Sequence, residues 1–349
     1  MTDVSRRQFG ALAVGAALFS KSKAGAAAMA IDEGLFVEIN GLEQWITIRG
    51  RDAANPVLLI LHGGPGFPMS FMAPALADWE KDYTLVQWDQ PAGGATYAKT
   101  PTAQGPLTIE RFVRDGLTVA EYVAARFPRR PIVLMGTSWG SLLGLTMIHR
   151  RPELFRAYVG AGQVVSGPDG HRLGYELGLT AARARGDAAA IAALEKVGPP
   201  PYARFEDFLV RQTYTNPPGL PPTPKEAAAT AELGRKLAAP VPADARYVAR
   251  GLPQPNFMEV FMATQRQTFA EVATWEARAL GLDFKVPVLV IQGDHDLNTP
   301  LPLVRDWLDK IHAPHKALEV IEGAGHNVFA FEAELHSLLN KHVRPLLAA

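Results

Sequence analysis

The sequence contains no cysteine, and its 35 basic and 35 acidic side chains leave a formal net charge of zero. Without thiolates, and with nine histidines that show no metal-ligand spacing, no metal site or other cofactor is expected. The balanced charge gives no signal for binding nucleic acid or an anionic membrane. Beyond the N-terminal segment no apolar run is long enough to span a bilayer, and no internal repeat is present. With 349 residues, 48% of them hydrophobic, the chain suffices for a buried core and one extra subdomain.

The first 30 residues have the composition of an export signal. Paired arginines, Arg6 and Arg7, precede a short apolar stretch at 11–19, and small residues at 24–30 offer several A-x-A cleavage sites. The arginine pair resembles the twin-arginine signal, whose machinery carries folded precursors. The expected location is therefore the periplasm or the medium, and residues 1–30 are excluded from the fold. A disordered basic tail with a chance arginine pair is the alternative.

A possible nucleophile follows one of the apolar runs. Gly136-Thr137-Ser138-Trp139-Gly140 comes directly after the strand-like run at 131–135 and opens a helical stretch. This is G-x-S-x-G in the context that it requires, strand, sharp turn and helix, which exposes a serine hydroxyl at the carboxyl end of a buried strand. The pattern predicts Ser138 as a nucleophile.

Two further partners arrive in the order that this chemistry needs. The strand-like run at 286–291 leads to Asp294 and Asp296, and the run at 318–321 leads to His326. The chain order Ser, Asp, His is that of the α/β-hydrolase fold. We favour Asp296 as the acid because it lies three residues past the glycine that closes the strand, and Asp294 stays the alternative.

The predicted mechanism is acyl transfer. His326 takes the proton of Ser138, and Asp296 holds the imidazole tautomer and stabilises its charged form. The oxyanion needs preorganised N–H donors. One is the backbone N–H of Trp139, and the other is expected from the loop His62-Gly63-Gly64-Pro65-Gly66, at Gly64. His62 is interpreted as a residue that orders this loop.

The order of elements predicts an α/β protein, with a mostly parallel eight-stranded sheet covered by helices on both faces. An opening hairpin is expected at 35–48 around Asn40-Gly41, with strands at 56–61, 84–88, 131–135 and 157–165 and a helix at 108–127. From 167 to 280 the strand signal stops, and the stretch is helical with proline punctuation. The predicted domains are therefore a core over 31–166 and 281–349, with a helical cap over 167–280 inserted before the acid strand.

Several motifs together resemble the proline iminopeptidases. These are His62-Gly63-Gly64-Pro65-Gly66, Trp88-Asp89-Gln90, the serine elbow with its following tryptophan, the cap and the Gly-x-x-Asp of the acid loop. The resemblance covers most of 35–165 and 283–345. It implies a serine exopeptidase that releases an N-terminal proline, in which cap carboxylates hold the free α-amine of the substrate. By motif, Ser138, Asp296 and His326 match the triad, and Gly64 and Trp139 match the oxyanion donors.

The chain departs from that pattern in three places, and the first is Thr137 at the elbow, where glycine or histidine is more usual. Pro91 and Ala92 replace the arginine and first glycine that usually follow Asp-Gln, and the cap does not align with the family. No amine-binding carboxylate therefore transfers by motif. The candidates are Glu206, Glu232 and Glu276, with Glu271 beside them, and for each the alternative is a solvated charge on a helix face.

Three functions follow from these observations. The first is a proline iminopeptidase-like serine hydrolase acting on small peptides or amides. The second is a carboxylesterase or lactonase on the same triad, which an apolar cap without paired carboxylates would favour. The third is a small-molecule binding protein with little turnover, against which the complete triad argues. The fold's aspartate-nucleophile enzymes, epoxide hydrolases and haloalkane dehalogenases, are disfavoured by Ser138. The oligomeric state is not predicted.

Overall fold

Eight strands form one sheet in the computed structural model, which describes residues 29–102, 104–238 and 256–347. The strands are β1 (Ile31–Ile39), β2 (Leu42–Gly50), β3 (Val57–Leu61), β4 (Thr84–Asp89), β5 (Ile132–Thr137), β6 (Ala157–Ala161), β7 (Val288–Gly293) and β8 (Lys316–Ile321). Their order is β1-β2-β4-β3-β5-β6-β7-β8. Strand β2 pairs antiparallel with both neighbours, and the other pairs are parallel. The predicted mostly parallel, eight-stranded sheet is confirmed.

The opening hairpin turns at the predicted dipeptide. Asn40 and Gly41 have φ values of 51° and 85°, and two successive positive φ angles are what a tight two-residue hairpin turn requires. The two strands pair along their whole length, from Ile39 opposite Leu42 to Ile31 opposite Gly50. The hairpin extends from residue 31 to residue 50, beyond both ends of the predicted range 35–48.

Helices connect and cover the strands. They are α1 (Gly94–Lys99), α2 (Ile109–Arg126), α3 (Trp139–Arg150), α4 (Gly167–Ala184), α5 (Ala188–Val197), α6 (Phe205–Thr215), α7 (Pro224–Leu237), α8 (Phe257–Thr274), α9 (Leu301–Lys310), α10 (Glu332–His342) and the single turn α11 (Arg344–Leu347). Helix α2 begins where predicted, because the Thr108 hydroxyl accepts a hydrogen bond from the Arg111 N–H at 3.2 Å. The described residues between β6 and β7, where the helical cap is predicted, contain helices α4 to α8 and no strand.

One predicted strand is too long. The apolar pattern at 157–165 predicts nine residues, but β6 ends at Ala161. Gly162 follows with a φ of 62°, and its N–H donates to the carbonyl of Ile291. The left-handed backbone at this glycine turns the chain out of the sheet. As a result Gln163 and Val164, which look like strand residues in sequence, lie in the loop that faces Ser138.

The apolar core lies on both faces of the sheet. Leu59 and Leu61 pack in a cluster with α2 and α3, whereas Leu58 and Ile60 pack in a second cluster with Trp79 and helix α10. Alternate residues of one strand thus serve opposite faces, as the pleat requires. Because both faces are covered, the free positions for polar chemistry are the loops at the carboxyl ends of the strands.

The N-terminal prediction falls outside this description. Residues 1–28 of the expected signal at 1–30 are not among the described residues, so the export signal stays a prediction. Within the ranges that the structure describes, no helix combines the length and the apolar character needed to cross a membrane.

Candidate active site

Ser138 lies in a tight turn between β5 and α3. Its φ of 49° and ψ of −117° are a strained combination for a residue with a side chain. The turn is possible because two glycines flank it at close approach. A Cβ at Gly136 would lie 2.3 Å from the carbonyl oxygen of Gly140, and one at Gly140 would lie 2.2 Å from that of Leu61. The backbone therefore presents the serine hydroxyl above the carboxyl edge of the sheet, as the motif predicts.

A hydrogen-bonded relay joins three of the predicted residues. The Ser138 Oγ lies 2.9 Å from His326 Nε2, and His326 Nδ1 lies 2.9 Å from Asp296 Oδ2. A carboxylate can only accept, so Nδ1 carries the proton and Nε2 accepts from the serine hydroxyl. Asp296 follows β7 and His326 follows β8, which are separate in sequence but adjacent in the sheet.

The two aspartates after β7 have different surroundings. The side chain of Asp296 is 0% exposed, and that of Asp294 is 29% exposed. Asp294 Oδ1 accepts from the Gly323 N–H at 2.7 Å and lies 2.8 Å from His295 Nδ1, so it ties two loops together. Only Asp296 contacts His326, which places the predicted acid, and not its alternative, in the relay.

Five donors surround the Asp296 carboxylate. They are His326 Nδ1, Gln292 Nε2 and the Thr299 hydroxyl on Oδ2, and the backbone N–H groups of Asn298 and Thr299 on Oδ1. Burial alone would raise the pKa of Asp296, but the charge and hydrogen bond of His326 and the bonds from Thr299 outweigh it and lower that pKa. The acid is therefore held ionised within the protein.

His326 is tuned by the same pair. Burial by itself lowers the pKa of His326, and the negative charge and hydrogen bond of Asp296 reverse this effect, so that the pKa lies above its ordinary value of 6.5. Arg211 opposes the shift, and Glu226 adds to it. A more basic imidazole is a better acceptor for the serine proton.

We expect activity to fall on the acid side as His326 becomes protonated, because only the neutral imidazole accepts the Ser138 proton. For a neutral substrate, kcat/KM should lose half its value at a pH above 6.5, since the folded-state pKa is raised from 6.5. Removing the Asp296 charge removes the cause of the rise, so in Asp296→Asn the midpoint should move to lower pH. A wild-type midpoint well below 6.5, or one that the substitution leaves in place, would contradict this assignment.

The two predicted oxyanion donors border the same space. Gly64 and Trp139 both line the cavity above Ser138. Trp139 is the first residue of α3, where backbone N–H groups have no partner within the helix. Among the described backbone oxygens neither N–H has an acceptor, which is what a site for a developing oxyanion requires.

His62 orders the loop that carries Gly64. Burial lowers the pKa of His62 to about 4, so the ring is neutral. Its Nδ1 lies 2.7 Å from the Gly63 carbonyl, and its Nε2 accepts from the Gln90 N–H at 3.2 Å. The Gln90 side chain in turn accepts from Trp139 Nε1 at 3.0 Å. The contacts of His62 connect the oxyanion loop to the elbow and leave no nitrogen for proton transfer.

Ser138 borders two spaces of different character. The first, here called the inner cavity, is about 100 Å³ and lies against the cap, with Phe208 and Arg211 of α6 and Gln265 and Phe269 of α8 in its wall. The second, the outer groove, is about 490 Å³. Its wall is mainly apolar and includes Phe67, Met69, Met72, Phe261 and Met262. A substrate held at Ser138 therefore has room on two sides.

The predicted substrate-binding glutamates are not in the wall of either space. Glu206 pairs with Arg266 at 2.5 Å, and Glu232 pairs with Arg235, one turn along α7. Glu276 accepts a hydrogen bond of 2.6 Å from the hydroxyl of Ser166. Ser166 lines the inner cavity, whereas Glu276 does not. The fourth candidate, Glu271, accepts from the Ile109 N–H at 2.6 Å, at the start of α2. The assignment of an amine-binding role to Glu206, Glu232 and Glu276 is therefore not supported, because their carboxylates face arginines or the protein itself.

Two charged residues near the relay escaped the sequence argument. Arg211 is 2% exposed and lines the inner cavity, and Glu226 is 5% exposed and contacts the backbone of Gly325, next to His326. Burial raises the pKa of Glu226. Arg211 carries a usable signal, because it falls on the buried face of α6 together with Phe205, Phe208 and Thr215 at helical spacing. Glu226 carries none, since its contact crosses about a hundred positions of chain.

No cluster of three metal-ligating side chains occurs in the described ranges 29–102, 104–238 and 256–347. The site described above consists of the serine, histidine and aspartate side chains and the backbone donors. Together they form a nucleophile, a base, an orienting acid and an oxyanion site.

Comparison with known proteins agrees with this geometry. Residues 57–336 match the model of the alpha/beta hydrolase family. The chain is 27% identical over 311 residues to a probable aminopeptidase, YbaC, of Bacillus subtilis strain 168, covering 88% of this chain and 95% of that protein.

Solved structures show the same fold. A proline iminopeptidase-related protein from Thermus thermophilus superposes with a TM-score of 0.59 at 19% identity, covering 91% of this chain and 100% of the other. Proline iminopeptidase of Mycobacterium smegmatis superposes with a TM-score of 0.56 at 23% identity, covering 89% and 98%. At these identities the likeness concerns the fold.

Proposed function

The chain belongs to the alpha/beta hydrolase family, and on that premise we propose that it is a serine hydrolase working through an acyl-enzyme. The observation that carries the proposal is the relay from Ser138 Oγ through His326 to Asp296, with both links at 2.9 Å. A serine hydroxyl is a weak nucleophile at neutral pH unless an adjacent base accepts its proton. The position of His326 between Ser138 and Asp296 supports its role as that base, with the proton on Nδ1.

The proposed reaction has two halves. Ser138 Oγ attacks the substrate carbonyl while its proton passes to His326 Nε2, and the carbonyl oxygen becomes an oxyanion facing the N–H groups of Gly64 and Trp139. His326 then gives the proton to the leaving amine or alcohol, and the acyl group stays on Ser138 as an ester. In the second half His326 activates a water, which attacks that ester and releases the acid. Asp296 stays ionised throughout and stabilises the imidazolium.

One candidate specificity is the release of an N-terminal proline or a related residue. It is supported by the motifs around the oxyanion loop and elbow and by similarity to a probable aminopeptidase over 88% of the chain. Such a reaction requires an anchor for the α-ammonium group of the substrate. A pair of carboxylates in the cavity wall would be that anchor.

A second candidate, a carboxylesterase, lactonase or amidase that ignores the α-amine, is favoured by the wall of the inner cavity. Within the described residues no glutamate or aspartate lines it, and its charged group apart from the relay is the cation Arg211. The undescribed part of the cap, 239–255, contains a single acidic residue, Asp244. The geometry therefore favours acyl substrates without a required free α-amine.

A panel of three substrates separates these candidates. We expect Ser138-dependent hydrolysis of a short-chain 4-nitrophenyl ester, and no requirement for a free amine when prolyl 4-nitroanilide is compared with its N-acetyl form. Prolyl amide cleavage that disappears when the amine is blocked would establish the iminopeptidase specificity instead. If wild type and Ser138→Ala are equally inactive on all three compounds, and on further acyl substrates, the protein is a binding protein and the proposal is wrong.

A further inference from the structure

Arg211 is a buried cation in the wall of the substrate space. It lies on α6, is 2% exposed and lines the inner cavity together with Ser138 and His326. Its Nε and Nη1 are buried and have no hydrogen-bond acceptor among the described residues. Buried guanidinium groups normally satisfy their donors with carboxylates or carbonyls, because an unpaired buried charge is strongly unfavourable. Arg211 therefore lacks the partner that its surroundings call for.

The described residues do not provide that partner. No carboxylate of the described residues lies within ion-pair distance of Arg211. The negative charge of Asp296 attracts Arg211 at longer range. The carboxylate of Asp296 makes its hydrogen bonds with the five donors described above, and Arg211 is not among them. Burial lowers the pKa of Arg211 to about 10, so the side chain still carries its charge at neutral pH.

The guanidinium is nevertheless held in place. It stacks over the ring of Phe208 at 5.2 Å from the centroid. On another side it packs against α4 at Gly174, where an added Cβ would lie 2.6 Å from Nη1. These contacts fix the orientation of the group without satisfying its hydrogen bonds. A preoriented, unsatisfied cation is the arrangement expected of a ligand-binding group.

We propose that Arg211 binds a carboxylate of the substrate in the inner cavity, so that the substrates are small acyl compounds bearing a free carboxylate. This deepens the proposed hydrolase function and rests on it for the chemistry at Ser138. The guanidinium suits a carboxylate because its N–H donors form charge-assisted hydrogen bonds with carboxylate oxygens. The rest of the wall is compatible with it: His171 is neutral, since burial lowers its pKa to about 3, and the cavity of about 100 Å³ admits a group of only a few heavy atoms.

The outer groove accounts for the other part of the substrate. It is about 490 Å³ and also borders Ser138, with phenylalanine and methionine side chains in its wall. An apolar part of the substrate can occupy it while the carboxylate lies at Arg211. The scissile carbonyl then lies between the two spaces, at the Ser138 hydroxyl.

The test compares esters that differ only in charge. Monomethyl esters of succinate, glutarate and adipate are each measured beside the neutral ester in which an isopropyl group replaces the carboxylate, with Ser138→Ala as the blank. For at least one chain length we expect wild type to prefer the charged ester by about tenfold or more in kcat/KM, since a site built around a polar group discriminates against a ligand that lacks it. In Arg211→Gln this preference should disappear, and Arg211→Lys should retain part of it.

Arg266→Gln is the matched control. Arg266 belongs to the same cap, but it is exposed and pairs with Glu206 outside the cavity, so its loss should leave the preference unchanged. Equal or better hydrolysis of every neutral ester by wild type would overturn the proposal. This comparison needs no variant of Arg211, so it decides the matter even if Arg211→Gln does not fold.

A binding measurement separates this inference from the hydrolase proposal. Calorimetry of glutarate with Ser138→Ala should show binding that is lost in Ser138→Ala combined with Arg211→Gln and kept in the combination with Arg266→Gln. Such binding without any turnover by wild type would remove the hydrolase function and leave the carboxylate site standing. Turnover of neutral esters without glutarate binding would support the hydrolase function and refute the carboxylate site at Arg211.

Discussion

Replacing Ser138 by alanine should lower kcat by about five to six orders of magnitude, the loss found when the nucleophile of such a relay is removed. The reason is chemical: without the hydroxyl, His326 has no proton to accept and no acyl-enzyme can form. Folding should be unaffected. Alanine tolerates the φ of 49° no worse than serine, and the hydroxyl has no described partner other than His326 Nε2. The measurement is steady-state turnover of a 4-nitrophenyl ester beside a thermal melt.

Ser337→Ala is the control for this experiment, because Ser337 is a serine on α10, outside the site. It should retain wild-type turnover and melting temperature. A Ser138→Ala protein that keeps more than a few per cent of wild-type activity would show that another group performs the attack.

Replacing Asp296 by asparagine should cost about four orders of magnitude in kcat, although the side chain has almost the same shape. All five contacts of the carboxylate are with donors, so the amide NH2 of asparagine must face at least one of them. If it faces His326, the ring takes the other tautomer, and its Nε2 then carries the proton and cannot accept one from Ser138. The loss is measured as kcat for the same ester.

Asp294→Asn makes the matched comparison, since both aspartates follow β7 and only one contacts the histidine. Asp294→Asn weakens the hydrogen bond from the Gly323 N–H to the Asp294 side chain. It should reduce activity by no more than about tenfold, mainly by loosening the loop that carries His326. If Asp294→Asn proved the more damaging change, the acid would have to be reassigned.

The parts of the site that local sequence rules could predict are those whose geometry is set by neighbours in the chain. The elbow is one such part. A Cβ at Gly136 would lie 2.3 Å from the Gly140 carbonyl oxygen, and a Cβ at Gly140 would lie 2.2 Å from a carbonyl oxygen of the adjacent strand β3, so both positions require glycine. The positive φ angles of Asn40 and Gly41 are another. The choice between Asp294 and Asp296 also follows from spacing, since the turn after β7 directs only one of them inward.

The contents of the cap could not be predicted in the same way. Glu206, Glu232 and Glu276 are acidic residues in the predicted cap, but none of them lines a cavity at Ser138. Whether a cap residue faces the cavity depends on how helices from distant parts of the chain pack. Arg266, sixty positions along the chain, pairs with Glu206 and holds it outside. Arg211 does carry a local signal, because it shares the apolar face of α6 with Phe205 and Phe208, but the packing of α6 against α4 decides that this face borders the inner cavity. Substrate specificity, which depends on these contacts, is therefore the least local property of the chain.

The most direct measurement is covalent labelling with an alkyl fluorophosphonate, followed by peptide mapping in a mass spectrometer. An activated serine attacks the phosphorus, fluoride leaves and a stable phosphonyl ester remains on the nucleophile. We predict one label per chain, located on Ser138, absent from Ser138→Ala and formed far more slowly in Asp296→Asn. A label on a different residue, or no label on a protein that still hydrolyses esters, would contradict the assignment of Ser138 as the nucleophile.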